Sequence, residues 1–211
     1  MPIRRIPMSR RSVTGFLAGG ISVESTLERD FALLHLFDPA VSSLEEQPVQ
    51  IRYRHQGGNL RYTPDFLVQF RDAGRPSELV EVKYEADLQK FSQEYAPRFY
   101  AAGDFAARRG WKFTVATEIS IRTAKLENVR FLLPRRRDEV EPNIKQRLQL
   151  LLTRDPVAVR ELIGRVGRNL VEQASALHCL WHMVSLFEVE ADLDQPLTMD
   201  TLVHRPDGAG G

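Results

Sequence analysis

The stretch RYTPDFLVQFRDAGRPSELVEVKYEADLQKF sets Asp65, Glu81 and Lys83 among Leu, Val and Phe. Carboxylate oxygens ligate hard divalent cations, and an ammonium group can stabilise negative charge that builds up during a reaction. Strand alternation sends every second side chain to the same face. In ELVEVKY it therefore groups Leu79, Glu81 and Lys83 on one face and Val80, Val82 and Tyr84 on the other. The Val/Val/Tyr face reads as core. The Glu/Lys face is then solvated, paired or catalytic, with a plain salt-bridge patch as the bland alternative.

Several elements must position these residues. Apolar Leu27, Phe31, Leu34 and Phe37 recur at helical spacing and predict a helix from about Ser25 to Phe37, ended by DPAV. VQIRYRH alternates as a strand, QGGN reads as a hairpin turn, and LRYTPDFLVQF returns as a second strand. DAGRPS turns into the third strand, ELVEVKY. A helical region from about Asp87 to Arg109, interrupted near Pro97 and closed by Gly110, precedes a fourth strand, WKFTVATEI. After Pro134 the pattern becomes three short helices, near 142–153, 156–166 and 169–184, followed by the strand-like runs SLFEVEA and LTMDTLVH. That order resembles a winged helix.

The 211 residues, 43% hydrophobic and 27% charged, suffice for one full core and a small second domain. The predicted division is a basic arm at 1–20, a catalytic domain at 21–134 and a winged-helix-like domain at 135–211, with the proline-flanked charge run LPRRRDEVEP as linker. No run is long and apolar enough for a membrane span and no signal peptide is evident, so a cytoplasmic protein with no membrane partner is expected. The single cysteine, Cys179, excludes an intramolecular disulfide and reads as a small core residue. No phosphate-cradling glycine loop and no Ser/His/Asp order is present, and His178 and His182, one helical turn apart, read as packing.

A net charge of +1 hides an uneven distribution. Arg4, Arg5, Arg10 and Arg11 stand in an arm without acids, which makes them candidates for neutralising DNA phosphates. Glu188, Glu190, Asp192, Asp194 and Asp200 crowd a segment without Lys or Arg, where a DNA-reading wing would be basic. The C-terminal domain is therefore expected to dock protein.

A helix, three strands with Asp and then Glu-x-Lys resemble the core of the PD-(D/E)xK nucleases, an α/β restriction-endonuclease-like fold of order αβββαβ. Such a reaction needs oxygen ligands for a divalent ion and a nearby cation. ESTLERDFALLHLFDPAVSSLEEQPV, YTPDFLV, LVEVKY and GWKFTVATEI together are similar, over residues 20–133, to the TnsA-type endonuclease subunit of heteromeric, Tn7-like transposases. The resemblance implies a Mg²⁺-dependent DNA endonuclease, with Mn²⁺ substituting, that cuts the 5′ strands at transposon ends. It also implies a DDE-type transposase subunit (TnsB) and an AAA+ ATPase regulator (TnsC) as partners. The family's catalytic set falls on Glu28, Asp65, Glu81 and Lys83, the three carboxylates being the metal ligands. Glu28 also completes an STLE capping box with Ser25, and Glu24 is the fallback. Gln47 reads as a structural turn residue. A stand-alone restriction or repair nuclease with the same core is the alternative.

Overall fold

A computed structural model of the chain describes residues 25–207 and the backbone of residues 15–16 and 22–23. Two compact units, Met1–Arg122 and Thr123–Gly211, divide the chain. In the first, short strands β1 (Gly15–Phe16) and β2 (Ser22–Val23) pair antiparallel ahead of helix α1 (Thr26–Phe37). Ser25 caps α1, its Oγ accepting the Glu28 N–H at 3.1 Å. The predicted helix and its capping residue are both present.

The central sheet has four strands in the order β3 (Val41–Glu46), β6 (Phe66–Phe70), β7 (Glu78–Val82) and β8 (Lys112–Ala116). The first two junctions are antiparallel and the last is parallel. The parallel junction requires a long crossover, which α2 (Glu85–Lys90) and α3 (Ser92–Ala107) provide, and the short helix α4 (Glu118–Ile121) follows β8. Helix α1 packs Leu27, Phe31 and Ala32 against Phe66, Val68, Val80 and Val82 on one sheet face. On the other face Leu67 and Leu79 meet Ala102 and Ala106 of α3.

This arrangement changes three sequence expectations. The first core strand is VSSLEE, whose polar composition hid it, and not VQIRYRH. VQIRYRH and the front of the presumed second strand instead form a separate two-stranded ribbon, β4 (Ile51–His55) and β5 (Gly58–Tyr62). The order αβββαβ thus survives with a hairpin inserted after its first strand. Second, the helical interruption falls at Phe91, between α2 and α3, while Pro97 lies inside α3. Third, both faces of β7 are buried, so Glu81 is not on a solvated face; it is only 3% exposed.

The second unit contains α5 (Ala124–Leu132), a 3₁₀ turn (Leu133–Arg137), α6 (Pro142–Leu151), β9 (Val157–Ala158), α7 (Val159–Val166), α8 (Leu170–Ser185), β10 (Glu190–Ala191) and β11 (Leu202–His204). Its strands form an antiparallel sheet in the order β10-β11-β9. The division lies before α5 and not at the proline-flanked charge run. The reason is packing: Leu126, Val129 and Leu132 are fully buried, and the Asn128 amide donates to the Leu193 and Gln195 carbonyls at 2.8 and 2.7 Å. His182 bonds the Arg135 carbonyl at 2.8 Å, and burial pushes the Cys179 thiol up to about 11. Both residues are structural.

Candidate active site

Asp65 stands at the bend that opens β6, directly after Pro64. Its backbone carbonyl accepts the N–H of Gln47 at 2.8 Å, and Gln47 itself has a positive φ of 44°. Gln47 is thus a turn residue that fastens the end of β3 to the bend carrying Asp65. The Asp65 carboxylate accepts the Val82 N–H through Oδ2 at 2.7 Å, which ties the bend to the end of β7. Lys83 follows at once, its own N–H continuing the parallel ladder to the Ala116 carbonyl at 3.0 Å.

Two carboxylates and an ammonium therefore meet at the same end of the central sheet. Lys83 Nζ lies 2.8 Å from Glu81 Oε1 and 3.8 Å from Asp65 Oδ2, and it donates to the Val82 carbonyl at 3.1 Å. The other Glu81 oxygen accepts a 2.6 Å hydrogen bond from the Tyr62 hydroxyl. Tyr62 was not singled out from sequence. The signal available was its place three residues before Asp65, at the end of a strand whose alternate residues are apolar.

The electrostatics are unbalanced. Burial pushes the Asp65 carboxyl well above the usual carboxylate range, and the Glu81 charge adds to this. Lys83 and the Val82 N–H oppose that rise without cancelling it, while Glu28 reinforces it. Burial works to lower the Lys83 pKa, but Asp65, Glu81 and Glu28 together raise it above the ordinary lysine value. Burial also raises the Tyr62 hydroxyl, helped by Glu81, so the tyrosine stays a proton donor.

Of the residues named from sequence, Asp65, Glu81 and Lys83 are brought into contact. Glu28, half-buried on α1, acts on Asp65 and Lys83 through its charge. Arg4, Arg5, Arg10, Arg11 and Glu24 lie outside the described residues. Among the described residues no group of three His, Cys, Asp or Glu side chains stands ready to hold a metal ion. Glu81 has both oxygens engaged, one by Tyr62 and one by Lys83. The donor chemistry nevertheless fits a hard divalent cation. The oxygens are carboxylates, and their mutual repulsion at Asp65 is the kind that a cation relieves.

A mixed sheet clad by helices on both faces, with clustered carboxylates and a lysine at one end, defines an α/β protein with a nuclease-type core. Residues 38–118 match the family of TnsA-like endonuclease N-terminal domains, so the resemblance read from the sequence holds over this segment. The match contains Asp65, Glu81 and Lys83. It is narrower than the resemblance over residues 20–133 and leaves Glu28 and the second unit outside. No curated protein matches the chain. Among the described residues, no helix is long and apolar enough to cross a membrane.

Proposed function

We propose that the chain is a metal-dependent DNA endonuclease subunit of a Tn7-like transposase, cutting the 5′ strands at transposon ends. The observation that carries this is the Asp65–Glu81–Lys83 cluster, lying inside the TnsA-like segment. Asp65 and Glu81, with Glu28 beside them, would hold Mg²⁺, or Mn²⁺ in its place. When bound, such an ion polarises the phosphate and lowers the pKa of the attacking water. Lys83 stays protonated and places its positive charge beside the carboxylates, where it stabilises charge growing on the phosphate oxygens. Gln47 and the Val82 N–H fix the Asp65 bend, so the carboxylate does not reorganise as charge develops.

The second unit's order, helix, strand, two helices and two strands, supports a winged helix. Its role in this reading is to dock a partner protein, the DDE-type transposase TnsB or the regulator TnsC. Several of its basic side chains are engaged by its own acids: Arg160 pairs with Asp200 at 2.6 Å, Lys145 with Glu188 at 2.8 Å, and Arg165 with Glu161. The Arg4, Arg5, Arg10 and Arg11 arm contributes nonspecific DNA contact.

Asp65→Ala tests the proposal. Assembled with its partners, the folded variant should bind transposon-end DNA and leave the 5′ strands uncut, as should wild-type protein stripped of divalent ions by a chelator. Wild-type 5′ cutting by folded Asp65→Ala would place the chemistry elsewhere. A stand-alone nuclease predicts instead that the purified chain cuts DNA without partners.

A further inference from the structure

The β4–β5 ribbon has no part in the central sheet. Its two-residue turn is built by Gln56 and Gly57, with φ of 48° and 78°, the left-handed pair that closes a tight hairpin. A lone two-stranded ribbon is marginal in water. This one is held by one face, where Ile51, Tyr53 and Tyr62 pack toward Ala102, Ala106 and Phe99 of α3. The opposite face carries different residues. Cross-strand register places Arg52 against Arg61 and Arg54 against Asn59, so three arginines and an amide share one exposed surface; an open hollow at the ribbon is lined by these four together with the cross-strand pair Tyr53 and Leu60.

Like charges directly opposite each other on a ribbon repel and destabilise it. Among the described residues, none of the three arginines has an ion pair, although other exposed arginines of this unit do, such as Arg75 with Glu78 and Arg108 with Asp104. Charges that merely blunt a sheet edge do not need to face each other across it. A planar guanidinium pairs with phosphate through two parallel hydrogen bonds, and a two-stranded ribbon is of a size to enter or track a DNA groove. The ribbon also leads directly into the site: Tyr62, its last residue, holds Glu81, and Asp65 follows three residues later.

We propose that the Arg52/Arg54/Arg61 face of the ribbon binds the phosphate backbone of duplex DNA beside the cleaved strand. This rests on the endonuclease reading for the identity of the polymer. Phosphates between the arginines relieve their repulsion, and the packed face of the ribbon fixes where the duplex lies relative to Asp65.

The test uses the full-length chain in chelator, so that binding is read without cutting. A labelled duplex of mixed sequence is titrated by fluorescence anisotropy across about 50 to 200 mM salt. Arg52→Ala/Arg54→Ala/Arg61→Ala should weaken binding at least about tenfold and lower the log-affinity against log-salt slope by about 0.9 per arginine that meets a phosphate. The corresponding triple lysine variant should recover most of the slope. Should the triple alanine variant fail to fold, the three single alanine variants each carry the same slope expectation. Unchanged affinity and slope would overturn the inference, as would loss of binding that lysine does not restore. Binding to phosphatidylserine vesicles that depends on the arginines, with DNA binding unaffected, would also overturn it. The Asp65→Ala protein separates the two readings. If it still cuts while ribbon variants lose binding, the active-site assignment fails and the ribbon stands. If it is inactive while ribbon variants bind normally, the ribbon fails and the active site stands.

Discussion

Charge is left unrelieved at two places in the first unit, the Asp65 cluster and the ribbon, and is matched at several positions in the second. In the first, Asp65 is held above its usual pKa by burial and by Glu81, and Arg52 faces Arg61 with no acid between them. In the second, Arg160, Lys145, Arg130 and Arg165 each meet an acid of the same unit. Even the acid-rich run from Glu188 to Asp200 is largely neutralised in space, since Glu188 meets Lys145, Asp200 meets Arg160, and Lys125 stands 4.0 Å from Asp194. A chain that pairs charges at these positions, and at Arg75 and Arg108 of the first unit, leaves them unrelieved at the Asp65 cluster and the ribbon, where on the proposed reading a cation and DNA would complete the balance. Functional sites concentrate such imbalance.

Among changes that leave the carboxylates in place, the largest effect should come from removing the lysine that partly compensates them. Lys83→Ala is expected to slow single-turnover 5′ cutting by about 10²–10³-fold while retaining DNA binding. A folded variant that cuts at the wild-type rate would reduce Lys83 to a salt-bridge partner and make the two units alike.

A smaller effect sharpens the electrostatic side of the comparison. Because the folded-state pKa of Asp65 is raised, stability is fully present below the unfolded aspartate value and is lost as pH rises through the folded value. Asp65→Asn removes the ionising group. It should therefore melt a few degrees higher than wild type at neutral pH in the absence of divalent ions, with the gain fading as the pH is lowered toward the ordinary aspartate range. Equal melting temperatures at neutral pH would mean that the site is not electrostatically strained.

The smallest effect belongs to the matched charges. Arg160 and Asp200 are both mostly exposed, at 60% and 72% of their side-chain surface, so their pair contributes at most about 1 kcal/mol. Arg160→Ala should shift the melting temperature slightly and leave the salt slope of DNA binding unchanged. A slope that fell as it does for the ribbon arginines would show that Arg160 releases Asp200 for phosphate and would erase the contrast.

Residue type and spacing alone determined much of this protein. The α1 boundaries and its Ser25 cap, the Gln56–Gly57 turn, the positive φ of Gly110 just past the end of α3 and the alternation that puts Glu81 and Lys83 side by side all follow from local rules. These are short-range effects: a cap, a positive φ or a two-residue alternation is settled within a few residues. Tertiary structure decided the rest. VSSLEE became a core strand because pairing with β6 supplies its hydrogen bonds, whatever its polarity. VQIRYRH left the central sheet because the bend at Pro64 and Asp65 divides its partner strand, and only the part before the bend pairs with it. Glu81 is buried because α3 covers its face, and Tyr62 becomes its donor across 19 residues of chain. The acidic run of the second unit is neutralised by Lys145 and Arg160, up to 43 residues away in sequence. Charge counted along a chain becomes an electrostatic surface only when folding decides which charges are within reach of one another.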